Sequence, residues 1–338
     1  MTGKKMKIAV LFGGLSEERD VSIASAAKIV PALRQRGHDV FSVDTATGRL
    51  SLADEQRLLE AGVAPEPPTS SALANVGNRA ISSAVYTFDI RAADVVLIAL
   101  HGGDGENGRI QALLDLAGVA YTGSNHIASA VAMDKDLSKR LFRSVNVPTA
   151  DWLMSPITSN DVEKQLGWPV VVKPNKQGST IGLSVVRSAA EFESALQKAY
   201  RYDDEVMIEK FISGRELTVG ILDGEALPVG EIAVLTDVFD YQAKYQVGGA
   251  REIFPAPIPQ EQAKLLQELA LRAHAALKLG TYSRIDFRLD SEGRPYCLEA
   301  NSLPGMTATS LLPQAALAAG IEFPVLLERI CRGALKSA

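Results

Sequence analysis

The sequence predicts an α/β protein that opens with a mostly parallel sheet and continues into α+β lobes. Three observations carry this. KIAVLF at residues 7–12 and DVVLIAL at 94–100 are short continuous apolar runs, the pattern of strands buried on both faces of a parallel sheet. Each run stops at glycines, Gly13-Gly14 in the first case and Gly102-Gly103, after His101, in the second. Stretches of helical periodicity separate them, as in βαβ construction. With 338 residues, 46% of them hydrophobic, the chain is too long for one compact core, and two or three domains or lobes are expected.

In chain order, residues 7–12 form the first strand, residues 22–37 a helix and residues 38–43 a second strand. Residues 46–80, with Pro65, Pro67 and Pro68, read as a surface excursion without chemistry. The apolar run at 94–100 is the next strand, and residues 108–118 the next helix. Pro148 and Pro156 mark a change of character. Residues 167–172 read as a strand running into Lys173-Pro174 and a loop bearing glycine and serine. A helix over 190–199 and strands over 206–210 and 216–222 follow. Residues 260–277 form an amphipathic helix. Residues 283–289 and 295–299 read as antiparallel strands around the turn Asp290-Ser291-Glu292-Gly293, and residues 315–330 as one helical tail.

The net charge of -5 disfavours a nucleic-acid partner, which a basic face would attract. Two cysteines, Cys297 and Cys331, without metal-ligand spacing point to reduced thiols and a cytoplasmic setting. The first apolar run is too short for a signal-peptide core, and no stretch reaches membrane-spanning length.

Ligands of open α/β sheets bind beyond the carboxyl ends of the strands, where both glycine pairs sit. Five groups of residues are candidates for chemistry. Lys173-Pro-Asn-Lys-Gln-Gly178-Ser179-Thr180-Ile-Gly182 reads as a phosphate-approaching loop, although it lacks a Walker closure and an ordinary hairpin loop is the alternative. Arg284 and Asp286 share one strand face, and Glu299 and Asn301 share another. If the two strands pair, two carboxylates and an amide meet, a donor set suited to Mg²⁺ and phosphate, with an edge salt bridge as the alternative. The loop from Asn301 through Gly305 to Ser310 offers backbone N–H groups for an oxyanion, or a simple helix cap at Ser310. Glu18, beside Gly13-Gly14, is either a helix-start acid or the partner of an ammonium group. Lys135, Glu209, Lys210, Lys244 and Tyr245 complete the set, although lone lysines are mostly solvated.

Taken together and in this order, VLFGGLSEERDVS, LHGGDGENGRIQ, MDK, VVKPNKQGSTIG, EVMIEKFISGRELTV, DYQAKY, SRIDF and LEANSLPGMTATS resemble the D-alanine–D-alanine ligase family. The resemblance runs from residue 7 to residue 312. It implies the ATP-grasp fold, with an N-terminal open parallel α/β (pre-ATP-grasp) domain over residues 1–134. A central ATP-grasp lobe over 135–220 and a C-terminal lobe over 221–338 follow, the last with a closing loop and the Mg²⁺ site.

The resemblance also implies roles. Asp286, Glu299 and Asn301 would hold two Mg²⁺ ions, with Mn²⁺ an acceptable substitute. Lys135, Lys173 and Ser179 would meet ATP phosphates. Glu209, Lys210 and Ile212 would line the adenine site, the latter two through backbone, and Glu216 would take the ribose. Lys244 and Tyr245 would lie on the closing loop. Glu18 would bind the first D-alanine's amino group, linked to Ser179 and Tyr245, with His101 nearby. Arg284 and the Gly305 N–H would hold the acyl oxyanion, and Ser310 and Leu311 would position the second D-alanine. The implied reaction is an ATP-dependent, ADP-forming condensation of two D-alanines through an acyl phosphate, by a cytoplasmic homodimer, for peptidoglycan precursors. A ligase using D-serine or D-lactate second, a specialised dipeptide ligase, and a nucleotide-binding protein without turnover are the alternatives; Tyr245 favours the dipeptide.

Overall fold

The computed structural model describes residues 4–16, 18–60, 73, 76, 88–234 and 250–337. Residues 46–60 of the expected excursion are a two-residue strand and the helix Leu52–Leu59; nearly all the rest of it lies outside the described residues, as do Lys244 and Tyr245.

The first sheet joins β1 (Lys7–Phe12), β2 (Asp39–Asp44), β3 (Gly48–Arg49) and β4 (Val95–Ile98) in the order β3-β2-β1-β4. β1 lies parallel to both β2 and β4, so it is central, and five of its six residues are buried. This is why its sequence is uninterrupted by polar residues. The expected helix at residue 22 begins three residues earlier, at Arg19, and runs to Gln35. Ser22 is no cap: its hydroxyl accepts from Gly13 N at 2.8 Å and donates to Ala99 O at 2.7 Å, pinning both strand ends to the helix.

The second sheet contains β5 (Trp152–Met154), β6 (Val170–Pro174), β7 (Ser184–Val186) and β8 (Val206–Lys210), ordered β5-β8-β6-β7 with every pairing antiparallel. Helices Ser159–Gln165 and Ala189–Ala199 cover it through Val162, Phe192 and Leu196.

The third sheet holds β9 (Arg215–Leu222), β10 (Glu225–Ala226), β11 (Gly230–Val234), β12 (Ala250–Ile253), β13 (Tyr282–Leu289) and β14 (Pro295–Asn301), in the order β12-β11-β9-β13-β14 with β10 on β9. Its inner face packs on the helix Gln260–Ala276 through Leu266, Leu269, Ala270 and Ala273.

The tail differs from the single helix expected over 315–330. It forms two helices, Leu311–Ala318 and Phe323–Ser337, that cross at 104°. Gly320, at φ +79°, and the Ile321 N–H to Ala316 carbonyl bond of 2.9 Å close the first helix. The second buries Leu326, Leu327 and Ile330 in the core of the first sheet. Arg36 reinforces that return by bonding Glu328 at 2.5 Å across 292 residues of sequence. Among the described residues no single helix is long and apolar enough to cross a membrane.

Candidate active site

The turn that leaves the first sheet brings Glu18 to a cavity wall. Gly13 and Gly14, at φ +75° and +80°, turn the chain sharply after β1. A Cβ on Gly13 would stand 2.5 Å from Asp44 Oδ1, so glycine is required by close approach as well. Asp44, buried on β2, accepts from Gly14 N at 3.2 Å and pairs with Arg19 at 2.6 Å. Glu18 occupies the N-cap position of the helix but makes no cap hydrogen bond. Its carboxylate is only 6% exposed and instead accepts from the Ser179 hydroxyl, 161 residues away. That contact decides against a helix-start role.

Ser179 reaches Glu18 from the loop between β6 and β7. Ser179 and Thr180 hold φ of +50° and +63°, a conformation that costs non-glycine residues energy and clusters at functional sites. His101 closes the near side, with Nε2 3.0 Å from Ser25 Oγ and Nδ1 3.7 Å from Glu106.

The pair β13 and β14 supplies the opposite wall. Arg284 stands across from Asn301, and Asp286 across from Glu299. Asp286 accepts from Arg284 Nη2 at 2.8 Å, Asn301 Nδ2 at 2.9 Å and Thr218 Oγ1 at 2.7 Å. Between Asp286 and Phe287 the register slips, because Phe287 faces Cys297 and leaves Leu298 over. This bulge breaks the alternation, so Leu298 and Glu299, adjacent in sequence, both line the cleft.

Lysines surround that wall. Lys135 begins the helix Lys135–Ser144 behind the capping Asp134, donates to Gln177 O at 2.7 Å and lies 3.5 Å from Glu299. Burial lowers its pKa, and the Glu299 carboxylate opposes that shift. Glu209 on β8 is buried between Lys173, at 2.7 Å, and Lys139. Burial alone would raise its pKa, but the two ammonium groups prevail and hold it at about 2.

Two cavities result. One, of about 940 Å³, is lined by Lys135, Lys173, Glu209, Lys210, Ile212, Glu216 and Asp286. The Lys210 ammonium donates to Leu166 O at 2.9 Å. The other, of about 1230 Å³, is lined by Glu18, His101, Asn301, Gly305 and Ser310. Gly178, Ser179, Arg284, Glu299 and Leu311 line both. Ser310 sits at the N-cap of the helix Leu311–Ala318, yet its hydroxyl does not cap it; it accepts from Thr307 N at 3.1 Å and closes the preceding turn.

Three residues in or behind the cleft were not singled out from the sequence. Arg288 lies two residues beyond Asp286 on the same face, 3.6 Å from Glu216, and strand alternation would have found it. Lys139 lies one helical turn after Lys135, a spacing that also signals a shared face. Glu252, on the edge strand β12, lines the second cavity and carries no sequence signal. Both cysteines are buried free thiols and neither lines the cleft.

Comparison with known proteins gives this geometry its context. The profile described as D-ala D-ala ligase N-terminus matches residues 7–124, and that described as D-ala D-ala ligase C-terminus matches residues 141–332. The chain belongs to the D-alanine–D-alanine ligase family. It is 40% identical to the D-alanine–D-alanine ligase of Pediococcus pentosaceus, with 98% of each chain covered. It is 40% identical to that of Geobacter sulfurreducens, covering 97% of this chain and 93% of the relative. A crystal structure of the Bacillus anthracis D-alanine–D-alanine ligase complexed with ATP superposes with a TM-score of 0.75 at 31% identity, covering 98% of both chains. The ATP-grasp architecture expected from the sequence is therefore this chain's fold.

Proposed function

We propose that the chain joins two D-alanines into D-alanyl-D-alanine at the expense of ATP, releasing ADP and phosphate for peptidoglycan precursor synthesis. The observation that carries this reading is the wall shared by the two cavities. It lets a nucleotide in one deliver its terminal phosphate to a carboxylate in the other, with Arg284 at the junction.

In this reading Glu18, oriented by Ser179, takes the ammonium group of the first D-alanine, and His101 closes its pocket. A carboxylate oxygen of that substrate attacks the γ-phosphorus, and the bond to the ADP oxygen breaks, giving an acyl phosphate. The amine of the second D-alanine, set by Ser310 and Leu311, attacks the acyl carbon, loses a proton, and phosphate leaves. Arg284 and the Gly305 N–H stabilise the intervening oxyanion. No covalent bond to the enzyme is needed, which suits a cleft without a cysteine. Catalysis comes from positioning and charge.

Lys135 and Lys173 meet the nucleotide phosphates, Glu209 and the backbone of Lys210 and Ile212 the adenine, and Glu216 the ribose. Asp286, Glu299 and Asn301 present two carboxylates and an amide on paired strands, a hard oxygen set that fits Mg²⁺. When bound there, Mg²⁺ supplies charge neutralisation for the triphosphate. Residues 1–134 carry the first substrate, 135–220 and 221–338 the nucleotide, and Lys244 and Tyr245 close over both. The enzyme works in the cytoplasm as a homodimer.

The test offers D-alanine, L-alanine, D-serine and D-lactate, singly and in pairs, and follows ADP release with mass spectrometry of the products. D-alanine alone suffices for turnover and gives the dipeptide. A requirement for D-serine or D-lactate would overturn the assignment of the second substrate.

A further inference from the structure

Lys139 is fully buried, outside both cavities, and its charge serves no surface. Its Nζ donates to Glu209 Oε1 and to Thr149 Oγ1, and lies 5.1 Å from the Trp152 ring centroid. Thr149 in turn donates to the Cys297 carbonyl at 2.7 Å, so the acceptor that fixes Lys139 is itself fixed. On its other oxygen, Glu209 is held by Lys173 at 2.7 Å. Only Glu209 and Lys173 of this trio face the nucleotide cavity.

The charge count gives the arrangement its purpose. A lone Glu209–Lys173 pair would be neutral and closed. A lysine withdrawn from it would leave a carboxylate buried without a counter-charge, a strongly unfavourable outcome. Lys173 would then be tied to Glu209 when phosphate arrives. The second lysine makes the trio net positive and keeps Glu209 paired when Lys173 leaves. We propose that Lys139 is a positioning residue for ATP binding: from outside the cleft it holds Glu209 and so releases Lys173 to the nucleotide phosphates. The low pKa of Glu209 agrees, since its negative charge is secured from both sides. The inference rests on the assignment of the cavity around Lys173 to ATP.

The full-length enzyme tests it through Lys139→Met, with ATP binding measured by calorimetry without D-alanine and KM values measured separately for ATP and D-alanine. The expected result is a weakening of ATP binding by tenfold or more, with the KM for D-alanine within twofold. In a Glu209→Gln background no anion restrains Lys173, so Lys139→Met then costs less than threefold. A residue that merely fills space would cost the same in both backgrounds, and equal losses would overturn the proposal. Should Lys139→Met not fold, Thr149→Val removes only the hydroxyl that fixes the Lys139 ammonium. It weakens ATP binding two- to fivefold, and unchanged binding in it would overturn the proposal too. Wild-type protein that binds ATP but releases no ADP with D-alanine would instead refute the function proposed above, leaving the Lys139 comparison readable.

Discussion

Replacing Asp286 with asparagine separates a ligand for the phosphate-bound cation from a plain salt-bridge partner of Arg284. Four donor atoms bond the Asp286 carboxylate: Thr218 Oγ1 at 2.7 Å, Arg284 Nε at 2.9 Å, Arg284 Nη2 at 2.8 Å and Asn301 Nδ2 at 2.9 Å. Asparagine keeps the shape but turns one acceptor into a donor, so on one side donor faces donor. Charge-assisted hydrogen bonds contribute about 1.5–3 kcal/mol each net. Arg284 and Asp286 retain 14% and 8% side-chain exposure, so water compensates part of the loss. A stability cost of about 2–4 kcal/mol follows, a drop of several degrees in thermal midpoint with the fold retained. The effect on chemistry is larger in kind, because the lost charge also faces the triphosphate. Turnover should fall at least about 100-fold, or about 2.7 kcal/mol in barrier height. Circular dichroism against temperature and a coupled ADP-release assay read the two effects. Turnover within tenfold of wild type, alongside the expected destabilisation, would make Asp286 a structural partner of Arg284 and refute the metal assignment.

Two further outcomes follow from single contacts. A Cβ on Gly102, at φ +64°, would stand 2.6 Å from Glu18 Oε2, so Gly102→Ala should raise the KM for D-alanine at least about tenfold while changing the KM for ATP little; equal rises would contradict the placement of Glu18. Glu209 has a folded pKa of about 2 against an ordinary 4.5, so its contribution is complete above about 4.5 and is lost as pH falls towards 2. Urea midpoints measured from pH 6 down to pH 3.5 should therefore decline more steeply in wild type than in Glu209→Gln, and parallel declines would count against the buried trio.

The parts of this protein legible in its sequence are those set by local pattern. The strands β1 and β8 have the bounds read from the sequence, 7–12 and 206–210, and each is buried over all but one terminal residue. The pairing of the Arg284 and Asn301 strands follows from the four-residue turn between them. What the pattern could not carry is tertiary. The bulge that brings Leu298 and Glu299 to one face depends on the partner strand, since Cys297, Leu298 and Glu299, where it falls, include no glycine or proline. The break at Gly320 was hidden by an alanine-rich stretch whose helical propensity runs through it. Glu18 reads as a helix-start acid until Ser179 arrives from another sheet. Glu209 reads as a cleft residue, while the lysine that balances it, Lys139, stands behind the site, and only its spacing from Lys135 hints at it in the sequence.

The account's central claim is that a D-alanine carboxylate takes the γ-phosphate directly at the junction of the two cavities. D-alanine labelled with ¹⁸O in its carboxylate tests this most directly. Each turnover should transfer one ¹⁸O into the phosphate released, detected by mass spectrometry or by the ³¹P isotope shift. Phosphate free of ¹⁸O during dipeptide formation would contradict the acyl-phosphate route and the reading of the cleft built on it.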